Sequence, residues 1–583
     1  DMENLNIIFL LVILLFDKQE CAPSDVYDEE LSIKQLQSGH VYSQFQFVTT
    51  WNVNVFEQQI PPHYNFFPKS FGEILSKFGI VELHFSMTQG RWRHNKWGYP
   101  LDSAPTGVEL WVWFHPNLNS SVVDKNWSGL VHSLSGQFCS SINFISKAET
   151  TSPEFSFKPL GVWPEDTLSP RQHLRYATIP RETVCTENLT PWKKMLPCGN
   201  SGGVGLASLL NAVKLYDSSY HSLAVHLRSV CQAGDCSKLA LEYKQSVASV
   251  FDPHHRGFNG GWNLRSLFGG VITSRCPLAR NSQVIIHTDK IDGLNPNHFE
   301  KKIISVSGKD VEYAVFDLTK KDLVKFPFDV QVKMKNRATV TDLKSSYILV
   351  HKYTTGYGEE YGGSTCIVRN THAHKNITLS YLDVIPYFAR VYLHTLKLQV
   401  NGVQIKPDNL KYTPCYHRER PAKLEFLFTI PPQSDVTISI QFEKIFQDWM
   451  QHPPDSHHGF YMSSSVISGI VPFHEELVET IPSLHHSMFR ERFGTTSDEM
   501  VFRRIYSEPL LLRIPSPDFS MPYNVICLTC TVIAIGFGSI YNLTTRTFQV
   551  EEVKEKRTLK EKILGLFRKT ETLENEEEEN SDG

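Results

Sequence analysis

One stretch of this 583-residue chain limits its fold more than any other: Val525 to Thr545, VICLTCTVIAIGFGSIYNLTT, contains no charged residue. At 1.5 Å per residue, about twenty helical residues match a hydrocarbon layer roughly 30 Å thick. A core helix of a globular domain rarely runs this long without a charge, so the stretch reads as a transmembrane helix over 524–545. Gly536 and Gly538 fit a bilayer helix, where small residues allow close packing. A second apolar run, Ile7–Phe16, is too short to span but has the length of a signal-peptide core, with cleavage expected near Cys21-Ala22. Arg546 to Lys569 carries eight basic and four acidic residues, and Thr570 to Gly583 carries seven acidic and none basic. The positive charge beside the span places the tail in the cytosol. Within it, Leu559, Ile563 and Phe567 would share one face of a short helix suited to an anionic leaflet.

The expected organisation is a signal peptide over 1–22, an N-terminal lumenal domain over 23–245, and a C-terminal strand-rich lumenal domain over 246–520. The span and a cytosolic tail over 546–583 follow. The 41 % hydrophobic and 21 % charged content is that of a globular ectodomain. A net charge of −4 disfavours nucleic acid as a partner. Aromatic content of 12 % suits pleated surfaces.

Alternation dominates the ectodomain. Val436, Ile438, Ile440 and Phe442 share one face of a strand. Leu396, Leu398 and Val400 lead into Asn401-Gly402, after which Val403 and Ile405 resume the alternation. Asn-Gly supplies the positive φ angles of a type I′ turn, so this reads as a hairpin. Further strands are predicted at Val41–Val48, Val108–Phe114, Val284–His287, Val311–Leu318, Val330–Met334 and Leu424–Ile430. Helices are predicted at Pro68–Lys77 and Trp127–Phe138, the latter with Leu130, Val131, Leu134 and Phe138 on one face. The fold class is mainly β: a strand-rich, sandwich-type lumenal ectodomain with helical insertions and one C-terminal transmembrane helix.

Eight cysteines lie between signal and span: Cys139, Cys185, Cys198, Cys231, Cys236, Cys276, Cys366 and Cys415. An oxidising lumen favours pairing among them. Cys231 and Cys236, flanking a short polar segment, form the best local bridge, and spacing leaves the other pairings open. Asn119, Asn126, Asn188 and Asn376 head N-glycosylation sequons. In the span, Cys527, Thr531 and Ala534 recur at i, i+4, i+7 and form a small-residue face suited to contact with another helix or a lipid.

Chemistry is sparse. Gly199–Gly205 is glycine-rich but lacks the lysine of a phosphate loop and reads as a loop. His452, His457 and His458 cluster with Asp455, yet two prolines and non-helical spacing argue against a metal site. Glu359-Glu360 sits in a glycine-rich turn, and Cys527-Leu-Thr-Cys530 lies where a bilayer denies a thiolate solvation. No nucleophile elbow or zinc-protease helix occurs. These residues imply no catalytic role, cofactor or metal and favour binding or assembly. Competing readings are a single-pass cell-surface adhesion or receptor ectodomain and a lumenal hydrolase with dispersed carboxylates.

Six blocks resemble the PIG-T family, lumenal subunits of the GPI transamidase complex. They are SMTQGRWRHNKWG (Ser86–Gly98), ELWVWF (Glu109–Phe114), SFKPLG (Ser156–Gly161), VCTENLTPWKKMLPC (Val184–Cys198), HGFYMS (His458–Ser463) and PDFSMPYNVICLTCTV (Pro517–Val532). The resemblance implies a non-catalytic, single-pass type I subunit in the endoplasmic reticulum membrane. Such a subunit would stabilise the complex and help present precursor protein and GPI lipid to PIG-K, the caspase-like catalytic subunit. PIG-S, PIG-U and a metallopeptidase-like lumenal subunit would be further partners. The family's cysteine that bridges to PIG-K falls on Cys185, within a polar segment that reads as surface. Cys366 and Cys415 look like additions to the family set, so a bridge between them would belong to this branch alone.

Overall fold

The computed structural model describes residues 25–547 and 559–564, apart from stretches 58–62, 165–172, 200–203, 295–298, 335–345, 453–457 and 473–499 and shorter gaps of one to three residues. Two units emerge, residues 1–516 and 517–583.

The first unit is organised around a ten-stranded sheet. From edge to edge its strands are Glu300–Val306, Lys309–Asp317, Asn281–His287, Val26–Gln35, Val41–Trp51, Leu239–Phe251, Tyr220–Cys231, Ile80–Gln89, Gly107–Phe114 and Leu174–Ile179. Every pairing is antiparallel except Val26–Gln35 with Asn281–His287, where Asp28 lies beside Asn281. Strand alternation assigns the two faces. Leu83, Phe85 and Met87 join Leu110, Val112, Val225 and Leu227 on one face, in a core that also takes in the helices. The helices that cover it are Lys69–Phe78, Ser120–Phe138 and Thr186–Lys194. They contribute Phe71, Leu75 and Phe78, then Leu130, Leu134 and Phe138, then Leu189 and Trp192. As expected, Pro68 precedes the first helix and Leu130, Val131, Leu134 and Phe138 line the buried face of the second. Burying one such side chain contributes about 1.5–3 kcal/mol, so this face anchors the unit.

Glu82, His84, Ser86, Glu109 and Glu242 point to the opposite face and are also buried. That face is covered by a sandwich of two five-stranded sheets. One runs Ile348–Thr355, Tyr361–Asn370, Ser434–Lys444, Ala389–Val400 and Val403–Ile405. The other runs Asp408–Thr413, Ala422–Ile430, Ile377–Ile385, Val466–Pro472 and Met500–Tyr506. Val368, Ile438, Ile440 and Phe442 of the first meet Leu379, Phe426, Ile467 and Ile505 of the second. Trp111, Trp113, Leu174 and Tyr176 of the large sheet pack on Leu382, Val384, Val466 and Tyr506 of the sandwich. Asn401 and Gly402 take φ of 47° and 86°, the two positive values the expected hairpin turn requires. The fold is therefore strand-rich with helical insertions, as the alternation predicted.

Residue 245 lies in the middle of the Leu239–Phe251 strand, and the large sheet draws strands from both sides of it. In the second unit, Ser520–Thr545 is one 26-residue helix with no buried residue, long and apolar enough to cross a membrane. Residues 559–561 and 563–564 are helical, while Phe567 and the signal-like segment fall outside the described residues.

Candidate functional site

Cys185 ends an extended segment and caps the N-terminus of the Thr186–Lys194 helix, with φ −125° and ψ 175°. Its thiol is exposed and free. Three residues on, Asn188 points back into the protein with 1 % of its surface exposed. Asn188 Oδ1 accepts from the Cys185 backbone N–H at 2.8 Å and from the Cys185 thiol at 3.2 Å. Its Nδ2 donates to the carbonyls of Phe138 and Cys139, at 3.0 and 2.8 Å. One side chain thus ties the start of this helix to the end of Ser120–Phe138, satisfying groups that helix termini leave unpaired. The Tyr216 hydroxyl donates to the Cys185 carbonyl at 2.9 Å, and Glu182 Oε1 accepts from the Ser141 N–H at 2.7 Å. Cys139, also exposed and free, sits in the left-handed region at φ 51° on the other side of Asn188. The result is a fixed shelf with two accessible thiols.

Asn188 is consequently enclosed in this fold, at a position that leaves no room for a glycan. Both hydrogens of its amide are committed to carbonyls and the side chain is enclosed, so a glycan there would require the two helix ends to part. The other sequons differ. Asn119 and Asn376 are exposed, and half-buried Asn126 donates to the Phe78 carbonyl at 3.0 Å.

Two disulfides are closed, Cys231–Cys236 and Cys198–Cys276. The second joins residues 78 apart, a separation that no local sequence pattern reveals. Cys366 and Cys415 are both free, against expectation. Cys366 faces the sandwich core from the first sheet, paired in register with Ile438. Cys415 is half-buried just past Asp408–Thr413, an edge strand of the second sheet.

Cys527, Thr531 and Ala534 all lie exposed along the apolar helix, and the Thr531 hydroxyl donates to the Cys527 carbonyl at 2.7 Å, so that hydroxyl is satisfied within the helix. His452 and His458 are described and His457 and Asp455 are not. Among the described residues no cluster of three metal-ligating side chains forms. Glu359 and Glu360 are exposed beside the Tyr361 strand.

A strand-rich unit with free surface thiols, followed by an apolar helix of membrane-crossing length, defines the class to which the comparisons then give a name. A family described as Gpi16 subunit, GPI transamidase component, matches residues 8–259 and 253–570. A mouse (Mus musculus) GPI-anchor transamidase component PIGT is 40 % identical over 96 % of this chain and 97 % of its own length. The human (Homo sapiens) protein of the same description is 40 % identical over 91 % of this chain and 92 % of its own. GPI transamidase component GPI16 of Saccharomyces cerevisiae is 28 % identical over 94 % of each. The chain belongs to the Gpi16 family of GPI transamidase components.

Proposed function

We propose that this chain is a non-catalytic assembly subunit of the GPI transamidase complex in the endoplasmic reticulum membrane. In this reading the strand-rich unit is lumenal and the Ser520–Thr545 helix anchors it. The chain holds the caspase-like subunit PIG-K through Cys185 and helps present precursor protein and GPI lipid to it. PIG-S, PIG-U and the metallopeptidase-like subunit complete the assembly. The Cys527, Thr531 and Ala534 face meets another subunit's helix or the lipid.

The observation that carries the reading is the state of Cys185: exposed, unpaired, and held at a helix start by its N–H donating to Asn188 and its carbonyl accepting from Tyr216. A thiol fixed in position loses little freedom on forming an external bridge, and such a bridge keeps two complementary surfaces at high effective concentration. The test is a non-reducing gel of the purified complex. Wild type gives a mixed-disulfide band with PIG-K; Cys185→Ser loses it, retains part of the non-covalent complex and attaches fewer anchors. No such band in wild type, or its persistence in the variant, rejects the role of Cys185.

A further inference from the structure

The buried polar face of the ten-stranded sheet encloses a cavity of about 170 Å³, closed on the other side by Phe502, Arg503 and Arg504 of the sandwich. Its mouth is the Leu101–Ala104 loop, which is half-exposed. Most charges around it are internally matched. Arg228 Nε donates to Glu242 at 2.7 Å, and Lys244 Nζ donates to Asp102 at 2.9 Å. Glu82 accepts from the N–H groups of Leu160 and Gly161 at 2.6 and 3.0 Å. Burial works against its charge, yet the bond from His84 and those two N–H groups outweigh it and hold the carboxyl below the usual range.

That ionised Glu82 orders the proton positions behind the wall. His84 Nε2 lies 2.9 Å from Glu82 Oε1 and so carries hydrogen. His84 Nδ1, 2.9 Å from His226 Nδ1, is then the acceptor, and His226 Nδ1 the donor. Burial pushes His226 down to about 3, so its ring is neutral and its Nε2 is a bare lone pair. His226 Nε2 has no partner among the described residues. Neither do Ser86 Oγ, Glu109 Oε1, or Arg504 Nε and Nη2. All four residues line this one cavity. Glu109 is 3 % exposed, and its other oxygen accepts from Tyr506 at 2.8 Å. Buried polar atoms are satisfied in more than nine cases of ten, so five orphans around one space point to a bound species.

We propose that this cavity binds a small neutral polyhydroxylated ring, of monosaccharide or cyclitol size, through Ser86, Glu109, His226 and Arg504. The orphans are mixed: Arg504 only donates, His226 Nε2 accepts, and Ser86 does either. A hydroxyl both donates and accepts, and a ring carries several in fixed directions. A phosphate, chiefly an acceptor, would leave the lone pairs of His226 Nε2 and Glu109 Oε1 unmet, and an apolar guest would leave every orphan unmet. The apolar wall of Leu101, Trp111 and Leu160 suits the C–H face of such a ring. This inference is independent of the assembly role.

The test is saturation-transfer NMR on the detergent-purified complex with mannose, glucose and myo-inositol, and with glycerol as the linear control. At least one ring should show saturable transfer that glycerol lacks. A mannose-terminated oligosaccharide then separates sources: transfer confined to its terminal residue identifies a glycan end, and transfer from free rings alone identifies a free metabolite. Ser86→Ala removes a hydroxyl with no native partner, so the fold should survive while affinity falls about fivefold. Glu109→Gln should weaken binding about tenfold or more. Transfer from no ring, or equal affinity in wild type and Ser86→Ala, overturns the proposal.

Discussion

Replacing Asn188 by alanine separates its two possible roles, because a sequon asparagine and a helix-tying asparagine fail differently. The substitution removes three backbone hydrogen bonds, to the Cys185 N–H and to the carbonyls of Phe138 and Cys139. Each contributes roughly 1 kcal/mol net, and the freed backbone groups are partly reached by water because Cys139 and Cys185 are exposed. The loss should therefore be about 2–4 kcal/mol. It should also loosen Cys185, lowering the yield of any mixed disulfide formed there. Thr190→Ala is the matched control. It abolishes the sequon but touches only one exposed bond, from the Thr190 hydroxyl to the Thr186 carbonyl at 3.2 Å. Denaturant unfolding, gel mobility before and after glycan removal, and disulfide yield are measured on all three proteins. Asn188→Ala should be destabilised with unchanged glycan mass, and Thr190→Ala should match wild type throughout. A mobility step in Thr190→Ala equal to one glycan, or a wild-type midpoint for Asn188→Ala, refutes the reasoning.

Gly107 has φ +89°, and a Cβ there would fall 2.2 Å from the Ile179 carbonyl oxygen, so Gly107→Ala should cost at least about 2 kcal/mol and lower the unfolding midpoint. Lys352→Ala strips the partner from buried Asp383, bonded at 2.8 Å, and should cost about 3–5 kcal/mol in the same measurement. Burial holds His94, His221 and His226 at about 3, 4 and 3. The unfolded chain binds their protons below about 6.5, so their contribution is present above that pH and is lost on acidification. Burial raises Glu29 and Glu109 to about 7, which works oppositely between about 4.5 and 7. With three histidines against two carboxyls, the urea midpoint should be lower at pH 5 than at pH 7, and His221→Phe should flatten that slope. Exchanging the Ser520–Thr545 helix for polyleucine should weaken subunit co-purification or anchor attachment; unchanged assembly and display would assign the helix to anchoring alone.

What the sequence made legible follows its local physics. Period-two alternation located strands such as Ser434–Lys444 and Gly107–Phe114, and Asn401-Gly402 located a turn, because each signal is contained in a few neighbouring residues. The apolar helix was legible for the same reason. Non-local partners were not. Nothing near Cys198 names Cys276, and nothing near Val26–Gln35 announces a neighbour at 281–287. The tie made by Asn188 was not legible because its sequon is local while the carbonyls it serves, Phe138 and Cys139, lie some fifty positions away. The signal that could have found it is Asn at the third position of a helix opening on Cys185. The cavity left one trace, polar residues such as Glu82, His84 and Ser86 alternating with apolar ones, which also fits a solvated strand face.

The parallel pairing of Val26–Gln35 with Asn281–His287 sets an order on synthesis. A chain entering its compartment from the N-terminus delivers residue 28 about 250 residues before residue 281, its neighbour in the sheet. At 5–20 residues per second that interval is roughly 12–50 s. Throughout it one side of the first strand offers unpaired N–H and C=O groups, the template on which foreign strands add. The Val41–Trp51, Leu239–Phe251 and Tyr220–Cys231 strands can join beforehand on the other side, but they leave this edge open. Truncations before residue 281 should therefore yield soluble-sized fragments that aggregate or stay bound to chaperones, and ones extending past 317 should pair the open side of the first strand and be less prone to this.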